Sequence, residues 1–260
     1  MIEDFENFNE RINHLYLSYN NESILPTFDN FEDEFIDGVN SYEGYQRGWG
    51  IQFSPSNNSL SVVDAIQNDP LYQIAYEAAS GLTVISPENR MNQFLIAKEF
   101  LHRVDEGDWI EFGSYKGGNA IFLGVLAKVL GFNTTIYACD SFVGMPKTDK
   151  RLDLHNEGDY SDVSSQDLQS YINSLGLENI KLVKGFFEDS LKQSFMDNLK
   201  FSFVHIDCDI YSASNTAYDY VKNRMIDKGY IVIDDACVSS CLGATRFVEK
   251  TLIQRDKHVS

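Results

Sequence analysis

Two apolar runs in this chain each end in closely spaced aspartates: Phe201-Ser202-Phe203-Val204-His205-Ile206 leads into Asp207-Cys208-Asp209, and Tyr230-Ile231-Val232-Ile233 into Asp234-Asp235. If the two runs are neighbouring parallel strands, three or four carboxylates meet at one rim of a sheet. Like charges that close repel one another and hold on to protons unless a cation lies among them. An all-oxygen set drawn from Asp207, Asp209, Asp234 and Asp235 suits Mg2+ or Mn2+ and leaves positions open for substrate and water. The competing reading is separate capping aspartates at two strand ends. Zinc has weaker support: Cys208, Cys237 and Cys241 fall in this region, but no histidine and no C-x-x-C spacing accompanies them.

A second group of residues could hold a nucleoside-like ligand. Glu111-Phe112-Gly113-Ser114-Tyr115-Lys116-Gly117-Gly118 follows an apolar run and opens a helical pattern. Its glycines allow close approach of a ligand to the backbone, and a helix start offers free N–H groups. It is neither G-x-G-x-x-G nor a P-loop, which disfavours dinucleotide reduction and nucleoside triphosphate hydrolysis. Asp140, at the end of the next apolar run and followed by Ser141, is placed to accept hydrogen bonds from both hydroxyls of a ribose, or simply to cap a helix. In Gly185-Phe186-Phe187-Glu188-Asp189, an aromatic ring could flank an adenine and Asp189 could accept from its amino group. Capping of the following helix explains Asp189 as readily.

The elements that must position these residues follow an alternating pattern. Strands are predicted at 109–112, 135–139, 180–184, 201–206 and 229–233, with helices at 118–130, 164–175, 189–197, 212–224 and 240–253. Repeated βαβ units call for an α/β fold, a mostly parallel sheet with helices on both faces. Before it, Ser86 is a suitable N-cap, Pro87 fits the first helical position, and Met91, Phe94, Leu95, Leu101 and Val104 share one face of a helix ending before Gly107. The first 82 residues differ in composition. Phe5, Phe8, Ile12, Leu15 and Tyr16 recur at helical spacing, after which polar and aromatic residues mix without a period. This divides the chain into a mainly helical segment, 1–82, and a sheet-containing domain, 83–260.

The overall balance narrows the partners. Of 260 residues, 39 are acidic and 21 basic, a formal net charge of −18, which repels nucleic acid and anionic membranes on average. Without a basic, apolar leader at Met1 or a long apolar run, the chain reads as soluble and cytoplasmic, and its four cysteines as reduced thiols.

Taken in order, the glycine turn, Asp140-Ser141-Phe142-Val143-Gly144-Met145-Pro146, Lys184-Gly185-Phe186-Phe187-Glu188-Asp189-Ser190-Leu191, Ile206-Asp207-Cys208-Asp209-Ile210-Tyr211 and Ile233-Asp234-Asp235 resemble the macrocin O-methyltransferase family over roughly residues 83–247. The resemblance implies a Rossmann-like class I methyltransferase fold, S-adenosylmethionine and Mg2+ as cofactors, and methylation of a sugar hydroxyl on a glycosylated small molecule. It places Glu111, Gly113, Ser114, Gly117 and Gly118 at the methionine end, Asp140 and Ser141 at the ribose, and Phe187 and Asp189 at the adenine. Asp207, Asp234 and Asp235 would hold the metal, Asp207 also serving as the general base or orienting it. Residues 1–82 would form a lid over the acceptor, with Tyr42, Tyr45, Trp49 and Phe53 available to stack on sugar faces, or a dimerisation arm of a homo-oligomer. Tyr115-Lys116 departs from the family's Trp-Arg, and Ser212 from its usual glutamate. Two further strands normally complete such a sheet, yet only residues 254–260 follow the last expected helix, leaving the fifth strand an apolar edge. A catechol-like acceptor, or a binding module that keeps the fold without catalysis, are the competing functional readings.

Overall fold

The computed structural model describes residues 2, 4–21, 46–47, 52–53, 62–238 and 240–257. Tyr42, Tyr45 and Trp49, and the side chain of Phe53, lie outside what is described. Five parallel strands form the central sheet: β1 (Asp108–Phe112), β2 (Ile136–Asp140), β3 (Ile180–Lys184), β4 (Phe201–Ile206) and β5 (Met225–Ile233), in the order β3-β2-β1-β4-β5. β1 and β4 are almost wholly buried, as parallel strands covered on both faces must be. Side chains alternate across the sheet with period two. Trp109, Ala138 and Phe203 face one core layer, and Ile110, Phe112, Cys139, Val204 and Ile206 face the other.

Helices α1 (Phe5–Asn21), α2 (Val62–Gln67), α3 (Pro70–Ala79), α4 (Pro87–Leu95), α5 (Gly118–Val129) and α6 (Ser165–Ser174) contribute to the first layer. Phe8 and Ile12 of α1 are fully buried there, so the described part of residues 1–82 shares a core with the sheet. α4 starts as its sequence dictates: the Ser86 hydroxyl accepts from the Asn89 amide, with Pro87 in the first turn. It continues through a π-helical stretch, Ile96–Phe100, and a 3-10 turn, Leu101–Arg103. The second layer is covered by α7 (Phe187–Ser190), α8 (Tyr211–Val221) and α9 (Leu242–Phe247), the last running on as a π-helix over Val248–Arg255.

The helix expected at 189–197 is instead the single turn α7 followed by a 3-10 turn, Ser194–Met196. Phe187 and Leu191 anchor to the sheet before Met196 does, and the chain breaks between these anchors rather than holding one helical face. Among the described residues no strand follows β5, whose outer edge has no ladder partner. Its register with β4 jumps between Phe201↔Met225 and Phe203↔Tyr230. The intervening residues include exposed Asp227 and Lys228, the latter at φ 64°, which bends and charges this edge.

Candidate cofactor cleft and acidic centre

The order of strands reverses between β1 and β4, and a cleft of about 390 Å³ opens at their carboxyl ends. Asp140 and Ser141 from the end of β2, Phe186, Phe187 and Glu188 after β3, and Asp207, Asp209, Asp234 and Asp235 after β4 and β5 all line it. Gly113 sits where β1 meets this rim at φ +87°, and a Cβ there would collide with the carbonyl oxygen of Asp207. The glycine therefore lets the β1 and β4 ends close on each other.

Asp207, Asp234 and Asp235 come together as their strand ends required, each offering a carboxylate oxygen within 4.8 Å of the others. Asp234 is oriented from α4, where the Asn89 amide donates to its Oδ1 at 2.8 Å. Among the described residues Asp235 Oδ2 is buried without a hydrogen-bond partner, an acceptor that a cation would satisfy. Burial, then Asp234, Asp209 and Asp235, hold the Asp207 carboxyl well above its ordinary range. Burial with Asp209 and Asp234 pushes Asp235 up to about 7. This mutual repulsion, the all-oxygen donor set and the orphaned oxygen together fit Mg2+ or Mn2+.

The cofactor-side residues divide. Asp140 accepts from the amides of Tyr115 at 2.8 Å and Phe142 at 2.7 Å, which aims its carboxylate along the cleft wall. Burial holds its carboxyl above the usual range against these two bonds. Phe187 is buried in the wall, edge-on to Phe112 at 5.3 Å. Asp189, by contrast, lies exposed outside the lining; the one-turn helix turns Glu188 to the cleft instead. Ser114, Gly117, Gly118 and Glu111 lie behind the lining. The glycine turn offers fewer free amides than expected. Gly113 and Ser114 donate to Cys139 O, Gly117 to Ser114 O and Gly118 to Leu82 O, because the turn is packed against β2 and the segment before α4. Ser114 Oγ remains buried and unpartnered.

Residues 76–256 match the family model described as Macrocin-O-methyltransferase (TylF). The chain belongs to the macrocin O-methyltransferase family. Among curated relatives, it is 25% identical over 148 residues to 8-demethyl-8-(2,3-dimethoxy-alpha-L-rhamnosyl)-tetracenomycin-C 4'-O-methyltransferase of Streptomyces olivaceus, covering 53% of this chain and 56% of that protein. It is 27% identical over 147 residues to mycinamicin III 3''-O-methyltransferase of Micromonospora griseorubida, covering 52% of this chain and 57% of that one. The chain thus spans little more than half the length of the curated relatives it matches. Its fold is that of the O-methyltransferase NovP, with a TM-score of 0.60 at 20% identity over 75% of this chain and 87% of that one. Calicheamicin methyltransferase CalS11 shares it with a TM-score of 0.52 at 15% identity over 76% and 91% of the two chains.

Within this family member, sequence reading missed the polar network beneath the cleft. His205 is fully buried, with Nδ1 at 3.1 Å from Glu111 Oε1 and Nε2 at 3.3 Å from Asp234 Oδ1. Burial opposes its charge, but the hydrogen bonds and charges of Asp234 and Glu111 prevail and raise it to about 9. Asn119 donates to Glu111 Oε1 at 2.7 Å and to Gln93 Oε1 at 2.9 Å. Among the described residues Glu111 Oε2 is left buried and unpartnered, the acceptor an ammonium group would need. The signal for this network was present: Glu111 and His205 are each the penultimate residue of a strand, and the parallel register pairs them directly. Tyr115 and Lys116, which replace the family's usual pair, both bind Asp162, at 2.6 and 2.7 Å, and hold down the loop between β2 and α6.

Proposed function

We propose that this chain is an S-adenosylmethionine-dependent O-methyltransferase that uses a divalent cation to methylate a hydroxyl of a sugar on a glycosylated small molecule. The observation that carries the reading is the meeting of Asp207, Asp234 and Asp235 at one end of a cleft whose other wall holds Asp140 and Phe187. The family and the sugar O-methyltransferases it resembles support the choice of donor and acceptor.

The donor brings an activated sulfonium methyl, so the protein's task is alignment. Asp140, already fixed by two amides, accepts from the ribose hydroxyls, with Ser141 beside it. Phe187 presents a ring face or edge to the adenine, and Glu188 replaces Asp189 as the acidic residue nearest it. Glu111 Oε2, near the end of β1 and just before the turn of Gly113, Ser114, Gly117 and Gly118, is the acceptor available to the methionine ammonium. Asp207, Asp234 and Asp235 would hold Mg2+, which supplies positive charge opposite an acceptor oxygen as it loses its proton. Asp234 is kept in place by Asn89 and His205 and is not free to turn into the acceptor side. Asp207, which lines the cleft at the end of β4, is the group placed to take the hydroxyl proton once the cation holds it ionised.

A methyl-transfer assay reading S-adenosylhomocysteine formation tests this with a panel of deoxysugar glycosides and of catechols, with Mg2+ and with chelator. Turnover confined to glycosides and lost on chelation is the expected result. Turnover of catechols alone would reassign the acceptor, and turnover undiminished by chelation would remove the cation from the reaction.

A further inference from the structure

A second set of metal-ligating side chains lies on the other side of Asp209 from the three carboxylates. A ring nitrogen of His155, a carboxylate oxygen of Asp209 and Sγ of Cys241 all lie within 4.8 Å of one another. The sequence showed no histidine near Cys241; the loop between β2 and α6 brings one from 86 positions away. This placement is built. Asp153 is buried, accepts from the Tyr211 amide at 2.8 Å, and packs where Gly243 leaves no room for a Cβ. The His155 carbonyl accepts from Thr148 Oγ1 at 2.9 Å and Lys150 Nζ at 2.7 Å, fixing its backbone. Asp209 adopts φ 57°, which turns its carboxylate to Cys241, whose thiol donates to Oδ1 at 3.0 Å. His155 Nδ1 is buried and has no hydrogen-bond partner among the described residues.

We propose that His155, Asp209 and Cys241 form a site for a borderline-soft divalent cation such as Zn2+ or Co2+, distinct from the all-oxygen centre. One sulfur, one imidazole nitrogen and one carboxylate oxygen form a tridentate set that Zn2+ prefers and Mg2+ does not. Around tetrahedral zinc such donors stand about 3.5 Å apart. Side-chain rotation of about 1 Å therefore closes the set, and a fourth position stays open. On binding, the Cys241 thiol gives its proton to solvent and its sulfur to the metal, and Asp209 exchanges that proton donor for the cation. The site adjoins the cleft, which Asp209 and Cys241 both line. The ring of Tyr160, 5.9 Å from that of His155, lines the cleft and is carried on the same loop, which the metal would strap to α9.

The test is Co2+ titration of the full chain in excess Mg2+, read by the thiolate-to-cobalt charge-transfer absorption in the near ultraviolet, followed by displacement with Zn2+. The site predicts one Co2+ per chain with this band, no displacement by further Mg2+, and displacement by Zn2+. The band disappears in Cys241→Ser and persists in Cys237→Ser. His155→Gln, a change on a partly exposed loop residue, weakens Co2+ at least tenfold. Absence of the band in the wild-type chain, its survival in Cys241→Ser, its loss in Cys237→Ser, or unchanged affinity in His155→Gln would each overturn the assignment. If Cys241→Ser does not fold, the His155→Gln titration decides alone.

Discussion

Stripping divalent cations from this protein should make its stability fall as pH rises, and replacing Asp235 by asparagine should remove part of that dependence. Asp235 is held at about 7 against an ordinary value of 3.8 by burial and by Asp209 and Asp234. The folded chain therefore binds a proton more tightly than the unfolded one. Stability from this group is fully present below pH 4 and is lost progressively as pH climbs to about 7. A displacement of this size corresponds to roughly 4 kcal/mol. For a chain of this length that is a melting shift of roughly 10 °C, taken as an upper bound. His205 acts in the same direction in a higher window, from its ordinary 6.5 to about 9, and the Asp207, Asp209 and Asp140 carboxyls, also held above their ordinary range, add to the fall. The assay is thermal unfolding by circular dichroism at pH 4.5, 5.5, 6.5 and 8, in chelator and in Mg2+. In chelator the melting temperature should drop across the series, Mg2+ should restore it most at pH 8, and Asp235→Asn should make the chelator curve shallower and weaken the Mg2+ response. A melting temperature that rises with pH in chelator, or that ignores Mg2+ at pH 8, would refute the electrostatic account of the acidic centre.

Other substitutions separate the roles of neighbouring residues. Asp207→Asn and Asp234→Asn should each lower turnover by roughly a thousandfold while leaving S-adenosylhomocysteine affinity, measured by calorimetry, within a few-fold of the unmodified chain. Gly113→Ala meets both the positive φ and the Asp207 carbonyl, and should cost roughly 3 kcal/mol in urea unfolding. His205→Gln leaves Glu111 and Asp234 without the cation between them and should cost about 3 kcal/mol at pH 7, more than any change at the exposed Lys116–Asp162 pair. Asp162→Ala should change stability by less than about 1 kcal/mol. It should still raise KM for the methyl donor, because it frees the loop that Tyr115 and Lys116 hold.

The parts of this molecule legible in its sequence are those written in one-dimensional periodicity. Strands β1 to β5 are apolar runs because parallel strands covered on both faces bury nearly every side chain, and α4 announces itself through Ser86 and Pro87. The acidic centre was legible for a related reason: the residue after a parallel strand emerges at a common rim, so Asp207 and Asp234-Asp235 had to converge once β4 and β5 were neighbours. Three features were not legible. Asp189 faces away from the cleft because α7 is only one turn long, and a helix length set by where Phe187, Leu191 and Met196 anchor is a tertiary property. Four amides of the Gly113 to Gly118 turn, those of Gly113, Ser114, Tyr115 and Gly118, are taken by Cys139, Asp140 and Leu82, partners that no local pattern specifies. His155 reaches Asp209 and Cys241 through the long β2–α6 loop, whose path depends on Asp153 docking at the start of α8.

The central claim is that the cleft holds S-adenosylmethionine with its methyl directed to the acidic centre. Calorimetric titration of S-adenosylmethionine and S-adenosylhomocysteine, with Mg2+ and after chelation, tests it most directly. One site per chain, filled in both conditions and weakened at least tenfold by Asp140→Ala, is the predicted result. No binding in either condition would contradict the account.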